Sequence, residues 1–202
     1  AGGVLGQAQQ TKIEFNNSAK INLNIANIKA NQYAGGFAGS LENGGTINVN
    51  TQKVQLSPLM SIRGNSGLGG FSGIIVSTNL KGDYKPNFSD TDVITNKDNT
   101  PFFAGKINSD DKSSSAQYIG GIAGSVDNSS IEGFYVTPSL CGNRYVGGIA
   151  GSVNNTTVYN CAANCGVFNN YSEAYSLGGI IGYLSNNKAC NYENLVNYTS
   201  IN

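Results

Sequence analysis

Histidine and tryptophan are absent from the 202 residues, methionine occurs once and proline four times. Without histidine there is no Ser-His-Asp or Cys-His machinery and no histidine-ligated zinc. Charge is scarce as well. Asp, Glu, Lys and Arg make up 12% of the chain, against roughly 25% in a typical soluble domain, and twelve basic residues balance twelve acidic ones. A chain with no net charge and no basic cluster is not expected to hold nucleic acid or an anionic lipid surface. Long apolar runs are missing too. The longest apolar-looking uncharged stretch, residues 67–80, is diluted by Gly, Ser, Thr and Asn and falls short of the roughly 20 residues of a membrane span, so none is expected. The N-terminal residues show no basic-then-apolar leader, which reads as a signal peptide already removed.

What is abundant is Asn, 29 times, and Gly, 27 times. The length suits one domain or one repeat array. Four cysteines, Cys141, Cys161, Cys165 and Cys190, cluster in the last third. An even set in a chain poor in charge reads as two disulfides and an oxidising, extracellular compartment, ahead of buried free thiols. A four-thiolate metal site ranks last because C-x2-C pairs are missing, and no metal or cofactor is expected.

Self-similarity is the strongest signal. Tyr33-Ala-Gly-Gly-Phe-Ala-Gly39 returns as Gly67-Leu-Gly-Gly-Phe-Ser-Gly73, Tyr118-Ile-Gly-Gly-Ile-Ala-Gly124, Tyr145-Val-Gly-Gly-Ile-Ala-Gly151 and Ser176-Leu-Gly-Gly-Ile-Ile-Gly182. The glycine pairs are Gly35-Gly36, Gly69-Gly70, Gly120-Gly121, Gly147-Gly148 and Gly178-Gly179, with steps of 34, 51, 27 and 31 residues. Five copies at such a period indicate a stacked repeat. The long step signals an insertion or a worn copy near Phe103-Ala-Gly105.

Apolar spacings of three and four (Ile119, Ile122, Val126) would suit a helix, but three glycines in five residues cost a helix on the order of 3 kcal/mol. A bulge or corner at Gly-Gly, using positive φ and close backbone approach, fits better. A short strand then alternates Ile122, Gly124 and Val126 on one face. Polar turns lead from it to second strands at Ile131, Val158 and Ile47, and Lys53-Val-Gln-Leu56 reads as a further strand. Ile21, Leu23 and Ile25 alternate with Asn before the first copy.

Tyr145-Val-Gly-Gly-Ile-Ala-Gly-Ser-Val153 followed by an Asn-rich turn resembles the GLUG repeat of large surface proteins, among them adhesin-like proteins and the non-catalytic region of immunoglobulin-cleaving metalloproteases. The resemblance covers roughly residues 30–198, with a gap over 81–116. It implies a β-solenoid, a secreted or cell-surface setting and a role in display or adhesion. No peptidase activity carries over, because there is no histidine for its zinc.

The expected fold is therefore all-β, a β-solenoid of about five to six coils with one charged insertion. Residues 1–32 form an N-terminal strand or cap segment, and residues 33–202 the repeat body with the insertion at about 81–116. Stacked coils lie about 4.8 Å apart, so inward residues form columns and turn residues form ladders. On that stacking, cysteines at matching places on successive coils pair as Cys141–Cys165 and Cys161–Cys190.

Residues 81–116 hold half of the acids. Asp90 with Asp92, or Asp110 with Asp111, could bind Ca²⁺, but no calcium loop motif is present, and a solvated insertion is the preferred reading. Polysaccharide lyase or hydrolase chemistry needs paired carboxylates, or a base with Arg. The remaining acids are scattered and only Arg63 and Arg144 are available, so no catalytic residue is assigned. Tyr33, Tyr118 and Tyr145 could stack on sugars, but their place in the repeat favours a structural role. Sequons at Asn16, Asn87, Asn128, Asn154, Asn155, Asn170 and Asn197 are candidate glycosylation sites, best at the turns of Asn128 and Asn154. The segments 4–15 and 195–201 either cap their own stack or dock on a neighbouring subunit. The resulting expectation is a non-enzymatic extracellular fibre subunit or adhesin segment that self-associates or belongs to a larger surface protein, with possible glycans. The competing expectation is a carbohydrate-binding or polysaccharide-cleaving β-helix.

Overall fold

The computed structural model describes residues 1–15, 20–25, 27–51, 53–86, 101–109, 117–168, 175–185, 192–197 and 199–201. Among these the regular structure is entirely β, with no helix. The strand that follows the third glycine pair shows apolar residues inward and polar ones further out. In Ala123–Asp127, Val126 is fully buried while Ser125 and Asp127 are half-buried.

The expectation of a β-solenoid of regular coils with a looped-out insertion is corrected by the sheet organisation. Among the described residues the strands divide among four separate parallel sheets of ten, six, five and two strands, and the chain curls one of them into a half-barrel. The ten-stranded sheet also branches: Thr157–Ala163 pairs with Ser130–Glu132, Tyr135–Val136 and Tyr192–Asn197. Unequal spacing between repeats is the physical reason. A chain that returns after 34, 51, 27 or 31 residues matches its neighbour over the repeated segments but leaves different lengths between them.

The repeats themselves are in strict register. Strands Gln32–Gly35, Ser66–Gly69, Gln117–Gly120, Arg144–Gly147 and Tyr175–Gly178 form the five-stranded sheet, with Gly35, Gly69, Gly120, Gly147 and Gly178 side by side. The strand after each pair joins the ten-stranded sheet, where Ala38, Ser72, Ala123, Ala150 and Ile181 align. A sixth copy precedes these five. Gly2 bridges Gly35 and Leu5 pairs with Ala38, so Gly2-Gly3-Val4-Leu5-Gly6 occupies the same place as Gly35-Gly36-Phe37-Ala38-Gly39.

The interior is a column of aromatic rings. Phe15, Phe37, Phe71, Phe102 and Phe134 follow one another at centroid distances of 5.3, 4.8, 5.8 and 5.1 Å. Phe102 and Phe103 belong to the segment read as a solvated insertion, and both are fully buried, as is Ile107 in the strand Lys106–Ser109 of the six-stranded sheet. That reading is corrected for residues 101–109: burying three large apolar side chains outweighs the local excess of charge. Phe103 bridges Val136 and so stands in for no glycine copy. Asp90, Asp92, Asp110 and Asp111 lie outside the described residues.

Both end segments rest on their own chain. Leu5–Gln9 pairs with Ala38–Asn48, Tyr192–Asn197 with Thr157–Ala163, and Ser200–Ile201 with Gly166–Phe168.

Candidate functional site

Three sets of residues repeat from layer to layer: glycines inside, a polar corner, and an outer stripe of tyrosines. The glycines are required by contact rather than by conformation. A Cβ on Gly36, Gly70, Gly121 or Gly148 would press into the carbonyl oxygen of Gly70, Gly121, Gly148 or Gly179 respectively, closer than any real Cβ contact. The backbones meet there directly, with the amide of Gly36 donating to the Gly70 carbonyl at 2.9 Å and that of Gly121 to Gly148 at 3.1 Å. The first glycine of each copy faces the carbonyl three residues on, as Gly35 does that of Ala38.

Positive φ was expected at the glycine pairs and lies elsewhere. It falls two residues earlier, at Tyr33, Gly67, Tyr118, Tyr145 and Ser176, with φ between 55° and 65°. Non-glycine residues are uncommon in this region, and four of these five are Tyr or Ser. The surrounding register therefore imposes the conformation.

Among the described residues, a polar corner follows the repeat strands Ala123–Asp127 and Ala150–Asn154. Asn128 and Asn155 both have positive φ, at 47° and 44°, and the Asn155 amide donates to Asn128 Oδ1 at 2.6 Å. Beneath them runs a buried hydroxyl ladder. The amides of Gly44, Thr78 and Ser129 donate to Thr78 Oγ1, Ser129 Oγ and Thr156 Oγ1 at 2.9, 3.1 and 3.4 Å. Each of those hydroxyls turns back onto the carbonyl two residues before it, at Val76, Asp127 and Asn154. Outward-facing pairs continue the pattern: Asn154 Nδ2 to Asp127 Oδ1 at 2.5 Å and Ser130 Oγ to Asn79 Oδ1 at 3.0 Å.

A cluster that includes an ion pair joins these ladders. Lys81, Glu132 and Tyr159 occupy one register position on three successive strands. Glu132 Oε2 lies 3.0 Å from Lys81 Nζ and accepts from the Tyr159 hydroxyl at 2.7 Å. Burial pushes the Glu132 carboxyl up, but the Tyr159 hydrogen bond and the Lys81 ammonium outweigh it and hold the carboxyl below its ordinary value. The same hydrogen bond, with burial second, pushes Tyr159 up to about 12. A carboxyl held ionised beside a cation is a poor proton donor, and a phenol at that value is a poor base near neutrality. Among the described residues no group of three or more His, Cys, Asp or Glu side chains could hold a metal ion.

The expected disulfides are corrected where the structure describes them. Cys161 and Cys165 are buried thiols, and no Cys141–Cys165 bridge is formed. Register explains it: Cys141 faces Phe168, three residues past Cys165, and Cys161 faces Leu195 rather than Cys190. Cys190 itself lies outside the described residues. Cys161 Sγ donates to the Tyr159 carbonyl at 3.2 Å, and burial pushes both thiols up to about 12.

Of the sequons, Asn16, Asn87 and Asn170 lie outside the described residues. Asn128, Asn155 and Asn197 are exposed and Asn154 is half-buried. The tyrosine stripe runs along the other side of the repeat strand. Tyr118 stacks on Tyr145 at 5.1 Å, each ring covering a face of the other, and Tyr145 meets Tyr183 at 4.7 Å with the rings tilted by 43°. Tyr33 lies against Gly67, where the next ring would be. Sequence reasoning missed the Tyr183 contact, the hydroxyl ladder and the sixth glycine copy. The last was visible in the Gly-Gly-Val-Leu-Gly string of residues 2–6.

Comparison with protein-family models, with curated proteins and with solved structures finds no match.

Proposed function

We propose that the chain is a non-enzymatic structural module of an extracellular surface assembly, a fibre subunit or an adhesin segment. One observation carries this reading: the outward polar side chains of the repeats are spent on one another. Asn155 bonds Asn128, Asn154 bonds Asp127, Ser130 bonds Asn79, and Glu132 is held by Tyr159 and Lys81. A surface that satisfies its hydrogen bonds along its own layers is suited to rigidity and spacing, whereas a catalytic cleft keeps polar groups free for substrate. The mutual stacking of the tyrosines weighs against a sugar-binding platform, which needs open ring faces. The resemblance of the glycine segments to surface-protein repeats supports the same reading.

Assembly would use the edges of the outer layers, which carry half-exposed apolar side chains: Val4 at one end and Tyr183, Leu184 and Ile201 at the other. The test is electron microscopy and sedimentation of the purified chain at rising concentration, with assays on a polysaccharide panel. Filaments or ordered oligomers and no turnover are expected. Monodisperse monomers at high concentration would remove the self-assembly, and polysaccharide turnover lost on Glu132→Gln would replace the reading with the carbohydrate-active one.

A further inference from the structure

Most of the side chains that normally absorb oxidising equivalents are missing from this protein or, among the described residues, hidden, with Cys141 half-buried. There is no Trp and no His, the one methionine, Met60, is fully buried, and Cys161 and Cys165 are buried thiols. Tyrosine is left as the abundant oxidisable group, eleven in all. The fold lines three of them up on the outside. Tyr118, Tyr145 and Tyr183 come from three successive repeats and are in ring contact. Tyr183 is 42% exposed and Tyr145 is half-buried.

We propose that Tyr145 and Tyr183 form an oxidative cross-linking site, joined carbon to carbon as dityrosine by hydrogen peroxide and a peroxidase. The two pairs differ in geometry. Tyr118 and Tyr145 are nearly parallel, at 20°, which keeps their ring edges in separate planes. Tyr145 and Tyr183 are tilted by 43° at 4.7 Å, near the short limit of aromatic contacts (about 4.5 Å), so the edge of one ring leans toward the other. Each phenol loses one electron and one proton to give a ring-delocalised radical. The two radicals couple at their ortho carbons, both ortho hydrogens leave as the rings regain aromaticity, and the phenolic oxygens recover their protons. In sum two phenols and one hydrogen peroxide give one biaryl bond and two waters. The product ties neighbouring repeats covalently, the task that Cys141–Cys165 was expected to perform. This inference does not depend on fibre formation.

The test treats the whole chain, its accessible thiols first alkylated, with dilute hydrogen peroxide and a plant-type peroxidase, and isolates the monomer. Dityrosine fluorescence, a mass lower by two hydrogens, and a higher thermal midpoint than the untreated chain are expected. Cleavage after Lys, Arg and Glu173 separates Tyr118, Tyr145 and Tyr183 onto different peptides, and the peptides bearing Tyr145 and Tyr183 should be joined. Tyr145→Phe keeps the ring contact and should abolish the monomer signal, while Tyr84→Phe, in the more distant and more nearly parallel Tyr84–Tyr135 pair (5.7 Å, 27°), should leave it intact. Dityrosine that persists in Tyr145→Phe, that joins only separate chains, or that fails to form would overturn the proposal.

Discussion

The side-chain amide of Asn155 donates to Oδ1 of Asn128 one repeat earlier, and both residues hold a left-handed backbone at an exposed corner. The 27-residue step between them is the shortest in the chain. The corner thus combines the two properties for which Asn is used, tolerance of positive φ and a side chain that both donates and accepts.

Substitution at this corner should separate those two properties. Asn128→Gly keeps the conformation and loses only the exposed bond, so a cost within about 1 kcal/mol is expected. Asn128→Val adds a β-branched side chain at positive φ and should cost about 2 kcal/mol or more. Urea midpoints of the two variants check this, and equal losses would contradict it.

Glycine substitutions should sort by contact. Gly121→Ala drives a Cβ into the Gly148 carbonyl and toward Val136, and a loss of about 3 kcal/mol or more, or failure to fold, is expected. At Gly6 nothing lies within 4 Å of the added Cβ, so Gly6→Ala should be neutral or stabilising by up to about 1 kcal/mol. Thermal melts of the pair give the comparison.

The aromatic column makes Phe102 a test of whether residues 101–109 belong to the core. Phe102→Ala should cost about 3–5 kcal/mol, as for a buried ring, whereas a side chain on a solvated loop would cost almost nothing.

Cys161 and Cys165 should resist thiol reagents in the native state and react fully on unfolding, as read by peptide mapping after brief maleimide exposure. Their thiols are raised by burial from about 9 to about 12. A raised folded value means the unfolded chain loses protons first as the solution becomes alkaline. Stability is therefore present in full below pH 9 and declines toward pH 12. The Cys161→Val, Cys165→Val double variant should show a shallower decline over that window.

At the acid end the sign is reversed. Glu132 is held below its ordinary value of 4.5, so its contribution is present above that pH and is lost as the solution falls through the lower folded value. Glu132→Gln should flatten the acid limb of the stability curve, and an unchanged limb would show that Lys81 and Tyr159 do not hold the carboxylate.

Much was readable in the linear order of residues because its causes are local. The glycine string is demanded by backbones meeting from layer to layer, so it recurs as text, and with Asn at the corners it disfavours helices by itself. The buried positions Ile122, Val126, Ile131 and Val158 follow from alternation along single strands. What depended on relations between layers was decided only by the tertiary structure. Positive φ moved from glycine to Tyr33, Tyr118 and Tyr145 because register, rather than residue preference, sets that bend. Cys141 met Phe168 rather than Cys165 because a count from the glycines ignores how each intervening stretch is spaced. Phe102 and Phe103 entered the core from a charged stretch because the energy of burial is set by the cavity a neighbouring layer offers, and no stretch of sequence contains its own neighbour.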